Sequence, residues 1–97
     1  MDIETLSIEE KNRAITHSDL MKSLKSNAGF TLVLEHLKQD AHAAMHKLKD
    51  VDPTDSKRIR ELQNEIWRYD ALVDKIEYII NVGEAARVER EMSKGVK

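Results

Sequence analysis

Two runs of apolar residues at heptad spacing, separated by the only proline in the chain, constrain this sequence more than any other feature. In the first run Phe30, Leu34, Leu37, Ala41, Ala44, Leu48 and Val51 are spaced 4, 3, 4, 3, 4 and 3 residues apart. In the second, Ile59, Leu62, Ile66, Tyr69, Val73, Ile76 and Ile80 are spaced 3, 4, 3, 4, 3 and 4 apart. That alternation puts each set along a single stripe of an α-helix. Between them, Asp52-Pro53-Thr54-Asp55 reads as a turn and a helix start. Asp52 is the expected cap, Pro53 suits a first helical position whose N–H has no partner, and Asp55 favours the positive end of the helix dipole. A residue ahead of proline is held out of the α region, so the upstream helix must stop at a turn over residues 50–53. Two helices joined so tightly run antiparallel.

The sequence therefore predicts an all-α fold, an antiparallel, coiled-coil-like helical hairpin over residues 30–92. Its first helix covers about 30–51, roughly 33 Å at 1.5 Å per residue, and its second about 53–92. Ala41 and Ala44 face the bulky region around Ile66, Tyr69 and Val73, which lets the helices approach closely. Leu72 and Ile79 widen the second stripe. Past Ile80 the heptad phase reaches Gly83, Arg87 and Arg90, while Ala85, Val88 and Met92 form a shifted stripe, which resembles a stutter or a helix end at Gly83. Helix formers from Glu84 to Glu91 favour continuation to about residue 92, with residues 93–97 frayed.

Residues 1–29 read as a helical N-terminal arm in two pieces. Ser7-x-x-Glu10 is a capping-box pattern that opens a helix over about 8–16. A second piece, capped by Ser18, runs from Asp19 to about Lys25, and Ser26 to Gly29 form a break. Leu20 and Leu24, with Phe30, are the expected tether to the hairpin.

A seam between two helices is a poor core for 97 residues, of which 40% are apolar and 35% charged. Leu72, Ile79 and Trp67 on the second helix, and Leu20 and Leu24 on the arm, therefore stand as candidate oligomer or partner contacts, and homo-oligomeric assembly into a helical bundle is expected. The charged residues are largely the solvent faces of the helices.

Several classes of function are excluded or disfavoured. No apolar run approaches the ~20 residues of a membrane span, and no signal-peptide core follows Met1, which suggests an unprocessed intracellular chain with no membrane association. With no cysteine there is no thiolate metal site or cysteine nucleophile. A net charge of −2 supplies no field to hold a polyanion, so nucleic acid is disfavoured as a partner.

Residues that could carry chemistry have plain alternatives. His42 and His46 lie four apart on one helix face, as metal ligands do, but two imidazoles do not make a site and Ala43 stands where a metalloprotease has its general base. They read as solvent-facing histidines, and no metal or other cofactor is expected. Lys57, Arg58, Arg60 and Arg68 form a basic patch, but Asp52, Asp55, Glu61 and Glu65 are interleaved at salt-bridge spacing. Tyr69 belongs to the seam and Tyr78 lies further along the helix. Trp67 lies off the seam, which makes it the best single marker of an interface. Without a Gly-rich phosphate loop, a nucleophile with a paired base, or strands to build a cleft, no catalytic residues are assigned.

Ser26-Asn27-Ala28-Gly29-Phe30 with Leu34 and Leu37, and Asp52-Pro53-Thr54-Asp55 with Ile59-Arg60-Glu61-Leu62-Gln63, resemble small all-helical proteins encoded among the head and tail assembly genes of tailed bacteriophages. Those proteins share an Asn-x-x-Phe lead-in to a helix, a turn containing Asp-Pro, and an Arg-x-Leu-Gln start to a second helix with a long heptad tail. The resemblance covers roughly residues 20–80 and brings no catalytic residues. It implies a virion or assembly role, in the host cytoplasm or the virion, with itself or a larger phage structural protein as partner. The expected function is thus a non-enzymatic structural or assembly protein. The alternative is a small helical regulatory adapter that binds a protein or nucleic acid.

Overall fold

The computed structural model describes residues 3–95 and is all-α. A short 3₁₀ turn over Ile3–Thr5 is followed by three helices: α1 (Ile8–Lys25), α2 (Ala28–Asp50) and α3 (Ser56–Gly95). They form two compact units. One comprises α2 with the first half of α3, residues 28–74; the other comprises residues 1–27, including α1, with α3 from residue 75 onward.

In the first unit α2 and α3 form an antiparallel hairpin. Ala41, Ala44 and Leu62 are fully buried in it, and its other seam residues, Phe30, Leu34, Leu37, Leu48, Val51, Ile59, Ile66, Tyr69 and Val73, are half-buried. The two alanines leave room for Leu62 to be enclosed, and burying a leucine side chain is worth about 2 kcal/mol. Ile76 and Ile80, the last residues of the second heptad run, fall in the other unit. Ile76 is buried and Ile80 half-buried.

The turn differs from the sequence expectation. Helix α3 begins at Ser56 rather than at Pro53, and Asp55 is its cap: the Arg58 N–H donates to Asp55 Oδ1 at 3.0 Å. Asp52 is occupied elsewhere, accepting from the Thr54 N–H at 2.9 Å and the Thr54 hydroxyl at 2.8 Å, while the Asp55 N–H closes the turn on the Asp52 carbonyl. Pro53 therefore occupies a turn position. The φ that proline imposes serves a turn as well as a first helical residue, and the Asp52 to Thr54 bonds favour the turn.

The arm is corrected as well, since α1 is one helix of 18 residues rather than two pieces. Its capping box forms as the Ser7-x-x-Glu10 spacing requires, with the Glu10 N–H donating to Ser7 Oγ at 3.1 Å and the Ser7 N–H to Glu10 Oε1 at 3.2 Å. Ser18, expected to cap a second piece, sits mid-helix and is fully buried. Its hydroxyl donates to the Ile80 carbonyl at 3.2 Å, which removes the reason serine otherwise interrupts a helix. The break before α2 narrows to Ser26 and Asn27, whose N–H groups bond back into the last turn of α1.

Within the second unit α1 and α3 run antiparallel. Ile15 and Ser18 of α1 and Ile76, Gly83 and Ala86 of α3 are buried. A Cβ on Gly83 would overlap Ser18 Cβ and lie 2.6 Å from the Ala14 carbonyl oxygen, so the backbones meet where glycine permits it. Leu20, expected as a tether, is instead 58% exposed, and Leu24 is half-buried.

Helix α3 continues unbroken through Gly83, so no helix end occurs there; beyond it Ala86 is fully buried and Arg87 and Arg90 are half-buried. The shifted stripe of Ala85, Val88 and Met92 faces outward. The helix runs through Gly95, and residues 96 and 97 lie outside the described residues.

Candidate functional site

The second unit carries a ladder of polar contacts between α1 and α3. Arg90 Nη1 donates to Asn12 Oδ1 at 3.1 Å, Arg87 Nη2 to Asp19 Oδ1 at 2.7 Å and Lys25 Nζ to Glu77 Oε1 at 2.9 Å, and Lys22 pairs with Glu84. Lys11 lies 4.0 Å from Glu89. The Lys22 bond to Glu84, reinforced by the Lys22 and Arg87 charges, holds that carboxyl below the ordinary glutamate range. These groups are exposed or half-exposed, and exposed pairs are worth little each, so the ladder sets register and orientation more than stability.

Two more carboxylates are shifted the same way by local bonds. Glu10 is lowered by the backbone and hydroxyl bonds to Ser7, and Asp52 by those to Thr54. Both serve turns and caps. Neither lies in an enclosed site with a nucleophile, as a catalytic acid or base would.

The candidate ligands and basic residues are not gathered into a centre. His42 and His46 lie exposed on α2, lining a shallow depression with Met45 and Lys49. Among the described residues no group of three or more His, Cys, Asp or Glu is placed to hold a metal. Arg58 pairs with Glu61 at 3.4 Å, while Lys57 and Arg60 are exposed. Arg68 shares a depression with Glu65, Asp40 and Lys47, a surface of mixed sign. Among the described residues no helix is long and apolar enough to cross a membrane.

The surface is distinguished instead by large apolar side chains left in water. Trp67 is 67% exposed. Leu72 and Ile79, the other candidates on α3, are half-buried. Ile79 lines a cleft of about 210 Å³ with Leu6, Ala14, Val82 and Tyr78, where Glu10, Arg13 and His17 supply the polar groups. Sequence reasoning passed over Leu32, Val33 and Met45 on α2, all exposed. Their signal was available, since each is a large apolar residue off its helix's heptad stripe. Comparison with protein families, characterised proteins and solved structures yields no match to this chain.

Proposed function

We propose that this chain is a non-enzymatic structural or assembly protein that works by helix-mediated association, with itself and with a larger partner. The observation that supports this most is Trp67, the chain's only tryptophan, standing exposed on a helix whose other face is already packed. An exposed tryptophan is a common anchor of protein interfaces, and a mixed-charge surface keeps such a chain dispersed until it meets its partner. The resemblance of residues 20–80 to phage assembly proteins supplies the setting, a virion or morphogenesis component. Sedimentation equilibrium from low to high micromolar concentration tests the self-association. A species above 11.2 kDa whose share rises with concentration is expected, and a monomer throughout would sink it.

A second reading, a regulatory adapter, is favoured by Lys57 and Arg60 lying exposed near the start of α3. It requires a salt-dependent shift of DNA or RNA in a gel, lost on changing Lys57, Arg58 and Arg60 to alanine.

A further inference from the structure

Where α1 begins, it and the last turns of α3 enclose a cleft of about 400 Å³, lined among the described residues by Ile8, Lys11, Asn12, Arg90 and Ser93. All five belong to the second unit. Most of the polar groups around it are donors: the Lys11 ammonium and Arg90 guanidinium carry nothing else, Asn12 adds an amide NH2 and Ser93 a hydroxyl. Protein acceptors meet few of them. Arg90 Nη1 donates to Asn12 Oδ1 at 3.1 Å, which uses the amide's acceptor and leaves its NH2 over. Arg90 Nε is buried and has no hydrogen-bond partner among the described residues.

Two acids stand close without satisfying these donors. Glu91 Oε1 is 4.0 Å from Arg90 Nε and Glu89 Oε1 is 4.0 Å from Lys11 Nζ, both beyond the roughly 3.2 Å reach of a hydrogen bond. They offset charge and leave the N–H groups unmet. A buried N–H without an acceptor costs about 1–3 kcal/mol, so the cleft favours an acceptor from outside the chain. The Lys11 side chain is only 13% exposed, so its stem is held and its ammonium stays at the site.

The donor set chooses the ligand. A guanidinium fork beside an ammonium suits the oxygens of a phosphate, and a phosphate monoester brings three terminal oxygens where a carboxylate brings two. Helix α1 starts at Ile8, which adds the positive end of its dipole. The cleft is larger than an inorganic ion fills and lies in the range of about 300–1,000 Å³ usual for small-molecule sites. Ile8, 74% exposed, offers an apolar wall to the group that carries the phosphate. We infer that this cleft binds a phosphate monoester with an apolar body, gripped by Arg90, Lys11, Asn12 and Ser93 and seated on Ile8. Glu91, exposed, turns into water as the phosphate enters, while Glu89, half-buried, remains as an opposing charge. The site shares no residue with the hairpin seam and stands whether or not the chain self-associates.

The full chain is titrated with phenyl phosphate, phenol and inorganic phosphate at constant ionic strength. Binding is read from the backbone amide NMR shifts of Lys11, Asn12, Arg90 and Ser93, with circular dichroism to establish that each variant remains helical. Phenyl phosphate is expected to give saturable shifts, inorganic phosphate to bind at least about threefold more weakly and phenol to leave the shifts unchanged. Arg90→Lys keeps the charge but loses the fork, and should weaken phenyl phosphate roughly tenfold. Glu91→Gln removes an opposing charge and should tighten it roughly two- to threefold, a change that damage to the fold does not produce. Ile8→Ser should bring phenyl phosphate down to the level of inorganic phosphate. A phosphotyrosine peptide that binds more tightly than phenyl phosphate assigns the ester to a protein partner, and one that binds no better assigns it to a small molecule. Shifts that never saturate, or that are indifferent to both Arg90→Lys and Glu91→Gln, overturn the site, and water then meets the donors.

Discussion

Ser18 and Gly83 bring α1 and α3 together at a point with no room for a methyl group: a Cβ on Gly83 would overlap Ser18 Cβ, and the Ala14 carbonyl oxygen would be 2.6 Å away. The Ser18 hydroxyl completes the contact on the Ile80 carbonyl. Helix propensity alone makes Gly83→Ala stabilising by about 1 kcal/mol. The packing reverses the sign, because backbone and a buried side chain must give way, and a net loss of about 1–3 kcal/mol is expected. Thermal unfolding followed by circular dichroism checks it, with Ala85→Gly as a control that costs about 1 kcal/mol through propensity on an exposed position. A Gly83→Ala chain more stable than the parent would show that the helices do not approach this closely.

This contact also marks where the sequence stopped being legible. The α2 to α3 hairpin is readable because apolar side chains repeat along both stripes, and none of the twelve seam residues in that unit is exposed. The α1 to α3 contact is made by Ala14, Ser18, Gly83 and Ala86, whose value lies in being small, and a search for hydrophobic periodicity passes over them. Ser18 looks like a cap in the sequence because its actual role depends on Ile80, 62 residues away. The outward stripe was partly visible as Ala85, Val88 and Met92, but which face α1 would leave uncovered follows from the packing.

Capping at the second helix separates two aspartates that look alike in sequence. Asp55→Ala removes the acceptor of the Arg58 N–H and is expected to cost about 1 kcal/mol. Pro53→Ala acts through the flexibility of the unfolded turn and should cost at most about 1 kcal/mol. Asp55→Asn, which keeps an acceptor, should recover most of the loss, whereas Asp52→Asn should leave helix capping unchanged. Urea denaturation of these variants decides it. A larger loss at Asp52 than at Asp55 would return the cap to the residue before the proline.

Acid should loosen the fold in a defined direction. Glu10, Asp52 and Glu84 all have carboxyls held below their ordinary range in the folded chain, by Ser7, Thr54 and Lys22 respectively. A lowered folded value means that the unfolded chain binds protons first, so the stabilisation is complete above the unfolded values of about 4. It declines as the pH falls through the lowered folded values. The melting temperature should therefore respond little to these three groups between about pH 8 and 5 and drop below about pH 4. Glu84→Gln should flatten part of that acid limb without steepening the neutral region.

Trp67 makes association visible without a label. It is the only tryptophan and is 67% exposed, so the dilute chain should show the emission of a water-exposed indole, readily quenched by iodide or acrylamide. If Trp67 anchors a partner, raising the concentration or adding that partner must shift the emission to shorter wavelength and reduce quenching. Trp67→Ala should then weaken binding by at least about 2 kcal/mol, roughly thirtyfold, while leaving the hairpin's melting temperature nearly unchanged, because the side chain is mostly in water when the chain is alone. The alternative has a distinct signature. Should sedimentation show a dimer while Trp67 stays as quenchable as in the dilute chain, self-association does not use this residue, and the tryptophan remains available for a second, different protein.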